Sequence, residues 1–292
     1  MKRTPFHSKK SRLHRGIPDT MMIMVAGILF VASTSPVMAV TITYNDFADT
    51  STLQLNGDAQ QAGNRLRLVS DQPGQAGSAF LKLPFHLGDN TDFSSVFEFQ
   101  VTGGQNPPMR SDGFTFLVSA ASNGTTALGG AGGDLGYGNH DNPSATAISK
   151  SVAIEFDTYR NAFDPNDHHI ALDVDGDVAN PLVSQATTSL LDDGSIWKAI
   201  ISYYGKTDYL NVMLYNGTGT FDSGFTQYID IPLAVVPFGS RDVNFGFTGA
   251  TGDGYANYDI LNWELTVPEP GSLALFSLGA MVLGAMSRRK RA

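Results

Sequence analysis

Short segments in which apolar and polar residues alternate recur along the middle of this 292-residue chain, at 65–69, 79–83, 93–101, 114–118, 152–156, 169–174, 197–203, 209–215, 243–247 and 261–267. A period of two puts successive side chains on opposite faces of an extended backbone, so each segment reads as a strand with one face to bury. Clusters of Gly, Asn, Asp and Pro separate the segments, which is the turn chemistry of antiparallel sheets. No helical stripe of useful length lies between them. The pattern predicts an all-β fold of antiparallel strands, a β-sandwich or barrel. Trp197 and Trp263 are expected in its core. The heptapeptide Tyr203-Tyr204-Gly205-Lys206-Thr207-Asp208-Tyr209 reads as a hairpin turn, and Asn216-Gly217-Thr218-Gly219 closes the next hairpin. Between these turns Leu210, Val212 and Leu214 share one face, while Asn211, Met213 and Tyr215 share the other. Both faces are substantially apolar, which predicts a sheet covered by a second sheet on one side and by loops on the other.

The two ends carry different signals. Residues 2–15 are basic, residues 21–32 are apolar, and Val37-Met38-Ala39 offers small residues to a signal peptidase, so residues 1–39 read as a signal peptide cleaved after Ala39. The apolar run is shorter than the ~20 residues a spanning helix needs. At the other end Val267-Pro268-Glu269-Pro270-Gly271 precedes an apolar run at 272–286 and then Ser287-Arg288-Arg289-Lys290-Arg291. A helix-breaking hinge, a short hydrophobic helix and a basic stop follow in that order. This tripartite end resembles the PEP-CTERM sorting signal of Gram-negative bacteria. That resemblance implies export to the outer surface or extracellular matrix, transient anchoring in the inner membrane through the C-terminal helix, and processing by an exosortase. The parse is therefore signal peptide 1–39, β-sandwich domain 40–266 and sorting signal 267–292.

Ten of the 19 Lys and Arg lie in these two ends, against two of the 28 Asp and Glu. The domain between them is strongly acidic, which argues against nucleic acid as a partner and favours divalent cations wherever carboxylates converge. No cysteine is present, which removes disulfides, thiolate nucleophiles and Cys-based zinc sites.

The densest polar stretch is Glu155-Phe156-Asp157-Thr158-Tyr159-Arg160-Asn161-Ala162-Phe163-Asp164-Pro165-Asn166-Asp167-His168-His169. Alternation puts Glu155 and Asp157 on one face of a strand end, with Val152, Ile154 and Phe156 on the opposite face. Two carboxylates directed into one small space repel each other unless a cation lies between them. Asp164 and His169, returned by the following loop, are placed to close the cage. Carboxylates, an amide oxygen and a backbone carbonyl suit Ca²⁺, and an imidazole suits a neighbouring transition metal such as Mn²⁺.

At this point the chain resembles the legume-lectin, or L-type lectin, family. The carrying residues are Val152-Ala153-Ile154-Glu155-Phe156-Asp157-Thr158-Tyr159, Asp164-Pro165 and His169-Ile170-Ala171-Leu172-Asp173. Phe245-Gly246-Phe247-Thr248-Gly249-Ala250-Thr251-Gly252 and Ile260-Leu261-Asn262-Trp263-Glu264-Leu265 extend it almost to residue 266. The resemblance implies a concanavalin-like sandwich in which Asp157 and Asp164 bridge Ca²⁺ and a Mn²⁺-like ion. Asn161 and the carbonyl of Tyr159 would complete the Ca²⁺ site, with Glu155 and His169 on the second ion. The span from Asn161 to Asp164 is two residues shorter than in common plant members, which makes Asp167 a reserve ligand.

The resemblance further implies carbohydrate binding by Asp112, preceded by a cis peptide at Ser111-Asp112, and by a backbone N–H from Gly132 or Gly133. Asn161 and Tyr159 would contact the sugar from the metal loop, and Tyr255 and Tyr258 from the loop at 252–259. The function implied is a metal-dependent carbohydrate-binding protein that is not an enzyme, with pairing into a homodimer left open. Two alternatives stand beside it. One is a structural matrix protein that kept the metal loop without sugar binding. The other is a glycoside hydrolase on the same scaffold, disfavoured because only Glu98, Glu155 and Glu264 lie in the domain and no carboxylate pair is recognisable. Asp173-Val174-Asp175-Gly176-Asp177 reads as an acidic hairpin turn, and the Gly-rich run at 129–138 lacks the Lys-Ser/Thr of a phosphate loop.

Overall fold

The computed structural model describes residues 39–104, 110–235 and 242–268. The segment read as a signal peptide, apart from Ala39, and the sorting motif beyond Pro268 lie outside the described residues. In chain order the strands are β1 (Ala39–Tyr44), β2 (Leu53–Gly57), β3 (Gln60–Ala62), β4 (Arg65–Val69), β5 (Ala76–Leu81) and β6 (Phe85–His86). Then come β7 (Phe93–Thr102), β8 (Gly113–Ser119), β9 (Ser151–Asp157), β10 (His169–Val174) and β11 (Val183–Ala186). The series closes with β12 (Ile196–Tyr204), β13 (Tyr209–Tyr215), β14 (Phe221–Tyr228), β15 (Asp242–Ala250) and β16 (Asn257–Pro268). A single turn of helix, Ile231–Val235, is the only α-helix among the described residues.

Two antiparallel sheets result. The back sheet runs β14-β13-β12-β7-β16-β4-β3, with β1 also paired to β16. The front sheet runs β11-β10-β9-β8-β15-β5-β2, with β6 on β15. Their facing residues form one aromatic core, because Phe97, Phe99, Trp197 and Trp263 of the back sheet meet Phe114, Phe116, Phe156 and Phe247 of the front. Phe114 and Phe156 stack at 4.7 Å, and Phe97 meets Phe247 edge-on at 5.0 Å. Trp263 also satisfies its indole, donating Nε1–H to Ser95 Oγ at 2.9 Å. The expected sandwich, hairpins and core tryptophans are all present.

Loop cover falls elsewhere than the hairpin residues suggested. Leu210, Val212 and Leu214 do face the core, but Asn211, Met213 and Tyr215 lie half-exposed on the outside of the back sheet. The sheet buried on both faces is the front one, where every residue of β8 and β9 is buried. Leu117 and Ala153 on its outer face pack with Ala127, Tyr137, Ile148 and Val178 from the covering loops into a second, smaller core. Strands covered twice can hold polar side chains in a dry environment, and the site is built there.

Strand β16 joins the two ends of the domain. Its last residue pairs with the first of β1, Ala39 opposite Pro268. Its first residue, Asn257, follows the turn that carries Gly252 to Asp112. Part of the stretch read as a sugar-specificity loop is therefore strand: Asn257, Tyr258 and Asp259 already belong to the ladder. Asp259 is fully buried there and paired bidentately with Arg67, Nε to Oδ1 at 2.8 Å and Nη2 to Oδ2 at 2.9 Å. Such pairing offsets the cost of burying its charge.

Candidate metal centre and adjoining cup

Antiparallel pairing of β9 with β10 places His169 opposite Asp157, Ala171 opposite Glu155, and Asp173 opposite Ala153. Directly paired residues share a face, so Glu155, Asp157, His169 and Asp173 all point outward beneath the loops. The small Ala171 leaves room above Glu155. One ligand atom from each of Glu155, Asp157 and His169 lies within 4.8 Å of the others, and His169 Nε2 is 3.9 Å from Glu155 Oε1.

The loop after β9 brings two further expected residues to the same place. Tyr159 donates its backbone N–H to Asp157 Oδ1 at 2.6 Å, and Asn161 donates its own to Asp164 Oδ2, also at 2.6 Å. Asp164 is buried, whereas the reserve residue Asp167 stands away with its side chain 59% exposed. The shortened loop thus still returns Asp164, and Asp167 is displaced from the cluster.

Electrostatics describe a group of acids held against their preference. Burial, then the Asp164 carboxylate, pushes Glu155 up to about 7. Burial and Glu155 push Asp157 well above the carboxylate range, and burial raises Asp164 to about 6. Burial pulls His169 down to about 4, which keeps the imidazole neutral and able to donate a lone pair. Glu155 Oε2 and Asn161 Oδ1 are buried without a hydrogen-bond partner. Buried acceptors with no proton donors, next to like charges, fit a divalent cation with mixed oxygen and nitrogen ligands. Sequence reading missed Asp173, which is fully buried with both oxygens unpartnered and raised by burial and by Glu155. The signal was available: Asp173 follows His169 by four residues on one strand and so shares its face.

These shifts set the pH dependence of metal stabilisation. Carboxyls with folded-state values raised to about 6 and 7 favour the metal-free fold below the ordinary carboxylate range, and that contribution is lost as pH rises toward 7. Metal ligation needs the same groups deprotonated. The rise in melting temperature on adding Ca²⁺ and Mn²⁺ is therefore expected to be near zero at about pH 4 and to grow through about pH 7. Melting scans with and without chelator across that range test it, and a metal increment independent of pH would count against these ligands.

Beside the cluster a shallow cup forms. The Ser111–Asp112 peptide is cis, as expected, and Asp112 is 4% exposed with Oδ2 unpartnered. Thr158 of the metal loop holds the Asp112 carbonyl through its N–H at 2.9 Å and its hydroxyl at 3.0 Å. Gly252 and Gly132 close over the carboxylate, because a Cβ on Gly252 would sit 2.9 Å from Asp112 Oδ2 and 3.4 Å from the Gly132 Cα. A Cβ on Gly133 would sit 2.4 Å from Asn161 Nδ2. Asp112, Gly132, Gly133 and Asn161 thus converge, and Tyr159 stands at the edge 36% exposed. Gly132 donates its N–H to the Thr251 carbonyl at 3.0 Å. Tyr255 is half-buried with its main chain against Gly104. Tyr258 does not reach the cup: it is 1% exposed, with its hydroxyl on Thr158 at 2.5 Å.

A two-sheet jelly roll with a loop-covered front sheet, a buried acid–imidazole cluster and a cis-linked aspartate beside it defines a concanavalin-like sandwich. Residues 39–273 match the legume lectin domain, and this chain belongs to the legume lectin family. Residues 266–291 match the PEP-CTERM protein-sorting motif, which marks an exported, surface-associated bacterial protein. Among plant relatives, Agglutinin-2 of Cladrastis kentukea is 32% identical over 242 residues, covering 77% of this chain and 80% of its own. Favin of Vicia faba is 33% identical over 234 residues, covering 75% and 93%. The crystal structure of basic winged bean lectin with Tn-antigen superposes with a TM-score of 0.68 at 27% identity, covering 80% of this chain and 100% of the other. The metal-free form of lectin I-B4 from Griffonia simplicifolia gives 0.64 at 25% identity, covering 79% and 100%. By name these relatives include lectins and an agglutinin, and none is named as a glycosidase.

Proposed function

We propose that this protein binds carbohydrate in the cup around Asp112, and that Ca²⁺ with Mn²⁺ or another transition metal holds the cup in shape. The observation that carries the reading is the buried group of Glu155, Asp157 and His169, with the Asp164 carboxylate acting on it. Asp157 and Asp164 would bridge two ions, with Asn161 and the Tyr159 carbonyl on Ca²⁺ and Glu155 and His169 on the transition metal. Bound metal supplies fixed positive charge that holds the loop from Tyr159 to Asp164. The chain's own groups then do the recognition. Asp112 accepts hydrogen bonds from sugar hydroxyls, Asn161 offers an amide fork, and Gly133 presents its own backbone N–H, that of Gly132 being already donated to the Thr251 carbonyl. Tyr159 offers a ring to the apolar face of a pyranose, and Tyr255 lines the approach. Holding these groups before the ligand arrives lowers the ordering cost of binding.

The same proposal covers the chain's location. A signal peptidase removes residues 1–39, the C-terminal helix holds the protein transiently at the inner membrane, and an exosortase processes the tail, leaving the domain at the cell surface or in the matrix. Two copies pairing into a homodimer would double the number of cups presented. The test is glycan binding by the purified chain with and without chelator. Binding that disappears in chelator and returns with Ca²⁺ and Mn²⁺ is expected, and glycan binding that survives complete removal of metal overturns the proposal.

A further inference from the structure

The cup holds one carboxylate that neither the metal cluster nor the recognition scheme above uses. Asp141 places Oδ2 3.4 Å from Asn161 Nδ2, and the same oxygen would be 2.8 Å from a Cβ on Gly133. It therefore stands between the two groups that flank Asp112 on the loop side. Its position is built, not incidental. Asp134, fully buried, accepts the backbone N–H of Asp141 at 2.9 Å and that of Asn142 at 2.8 Å, while Asn142 Nδ2 reaches the Ala131 carbonyl at 2.7 Å. This fastens residues 141–142 to the glycine loop that forms the cup wall. His140 Nδ1 lies 3.1 Å from Asp141 Oδ1, with its ring edge-on to Phe163 at 4.8 Å, which fixes the carboxylate from the solvent side. Asp112, buried and with Oδ2 unpartnered, is directed into the same space.

The charges that act on Asp112 are those of Asp141 and Asp164, both negative, whereas the cation Arg160 acts on Asp164. Ions in the cluster would balance Glu155, Asp157 and Asp164, but Asp141 is not among those ligands. With His140 neutral its charge remains in the cup, where a partly enclosed site of one sign concentrates ligands of the other.

We infer that Asp141 sets the specificity of this cup, selecting saccharides that carry a protonated amine over their neutral or acidic counterparts. The inference rests on the carbohydrate-binding reading and names the ligand class of that site. A hexosamine ammonium can donate to Asp141 Oδ2 while ring hydroxyls donate to Asp112. A uronic acid in the same pose meets a like charge.

Titration calorimetry of the full chain, loaded with Ca²⁺ and Mn²⁺ at pH 7 and low salt, tests this with matched oligosaccharides of glucosamine, N-acetylglucosamine and glucuronate, and the same three forms of galactose. Preference for the free amine over its acetamide of about three- to fivefold is expected, the size of one partly exposed charge pair, and it should shrink as salt rises. Asp141→Asn, which keeps the shape and the contact with Asn161, should bring that ratio to about one while leaving affinity for the acetamide within about twofold. An unchanged ratio in Asp141→Asn, or equal binding of all three forms by the native chain, overturns this inference while leaving the lectin reading intact. Failure of every saccharide to bind overturns the lectin reading and this inference with it.

Discussion

Asp157→Ala is expected to abolish both metal retention and glycan binding, and to reverse its effect on stability according to whether metal is present. In saturating Ca²⁺ and Mn²⁺ the variant should melt well below the native chain, because a ligand at a thousand times its dissociation constant contributes about 4 kcal/mol and the variant forgoes it. For a domain of this size that corresponds to a fall of roughly 8–16 °C. In chelator at neutral pH the order should invert. Asp157 then sits fully enclosed beside Glu155 and Asp164, all three raised above their ordinary range, and deleting one carboxylate relieves repulsion that no cation offsets. Calorimetric melting of both proteins in both buffers, with elemental analysis of bound metal, reads every part of this. A variant less stable in both conditions would mean that Asp157 serves packing and not a cation.

Asp112→Asn separates recognition from metal. Substituting an amide keeps the shape at the cis-linked position but replaces one acceptor oxygen with a donor. The hydroxyls of a docked sugar then lose an acceptor in an enclosed place, a change that costs well over a hundredfold in affinity when charged hydrogen bonds are removed from a site built around them. Metal content should stay nearly the same, since Asp112 lies outside the cluster of Glu155, Asp157 and His169. Loss of bound metal in this variant would reassign Asp112 to the ion, and undiminished sugar affinity would move the binding site elsewhere.

The strands were legible because burial on one face imposes a period of two on any sequence that survives as a sheet. The same rule located Glu155 and Asp157, and family resemblance added Asn161, Asp112 and the cis peptide before it. Where the reading failed, the cause is physical in each case. Tyr258 was assigned to a loop because β16 changes parity: a register shift between Ile260 and Asn262 puts Tyr258 and Ile260 on the core side with Trp263 and Leu265, which alternation alone would separate. Asp173 was absorbed into an apparent Asp-x-Asp-Gly turn, although the turn begins only after Val174, with Asp175 at φ 57°. Asp134 and Asp141 sit in a covering loop without periodicity, so their approach to the cup depends on contacts that one sequence does not display. The covered sheet was placed on the wrong hairpin because Met213 and Tyr215 are as apolar as residues under a lid, yet they face outward.

The pairing of Ala39 with Pro268 has a consequence for how the protein is displayed. The segments read as processing signals would join the folded part at one rung, and the twelve residues of β16 span roughly 36 Å from there at the usual rise of an extended chain. Any tether made through the tail would pull on the Pro268 end of β16, whereas Gly252 and Asp112 lie near its Asn257 end. A tether of that kind would leave the proposed cup at the strand end away from the point of attachment.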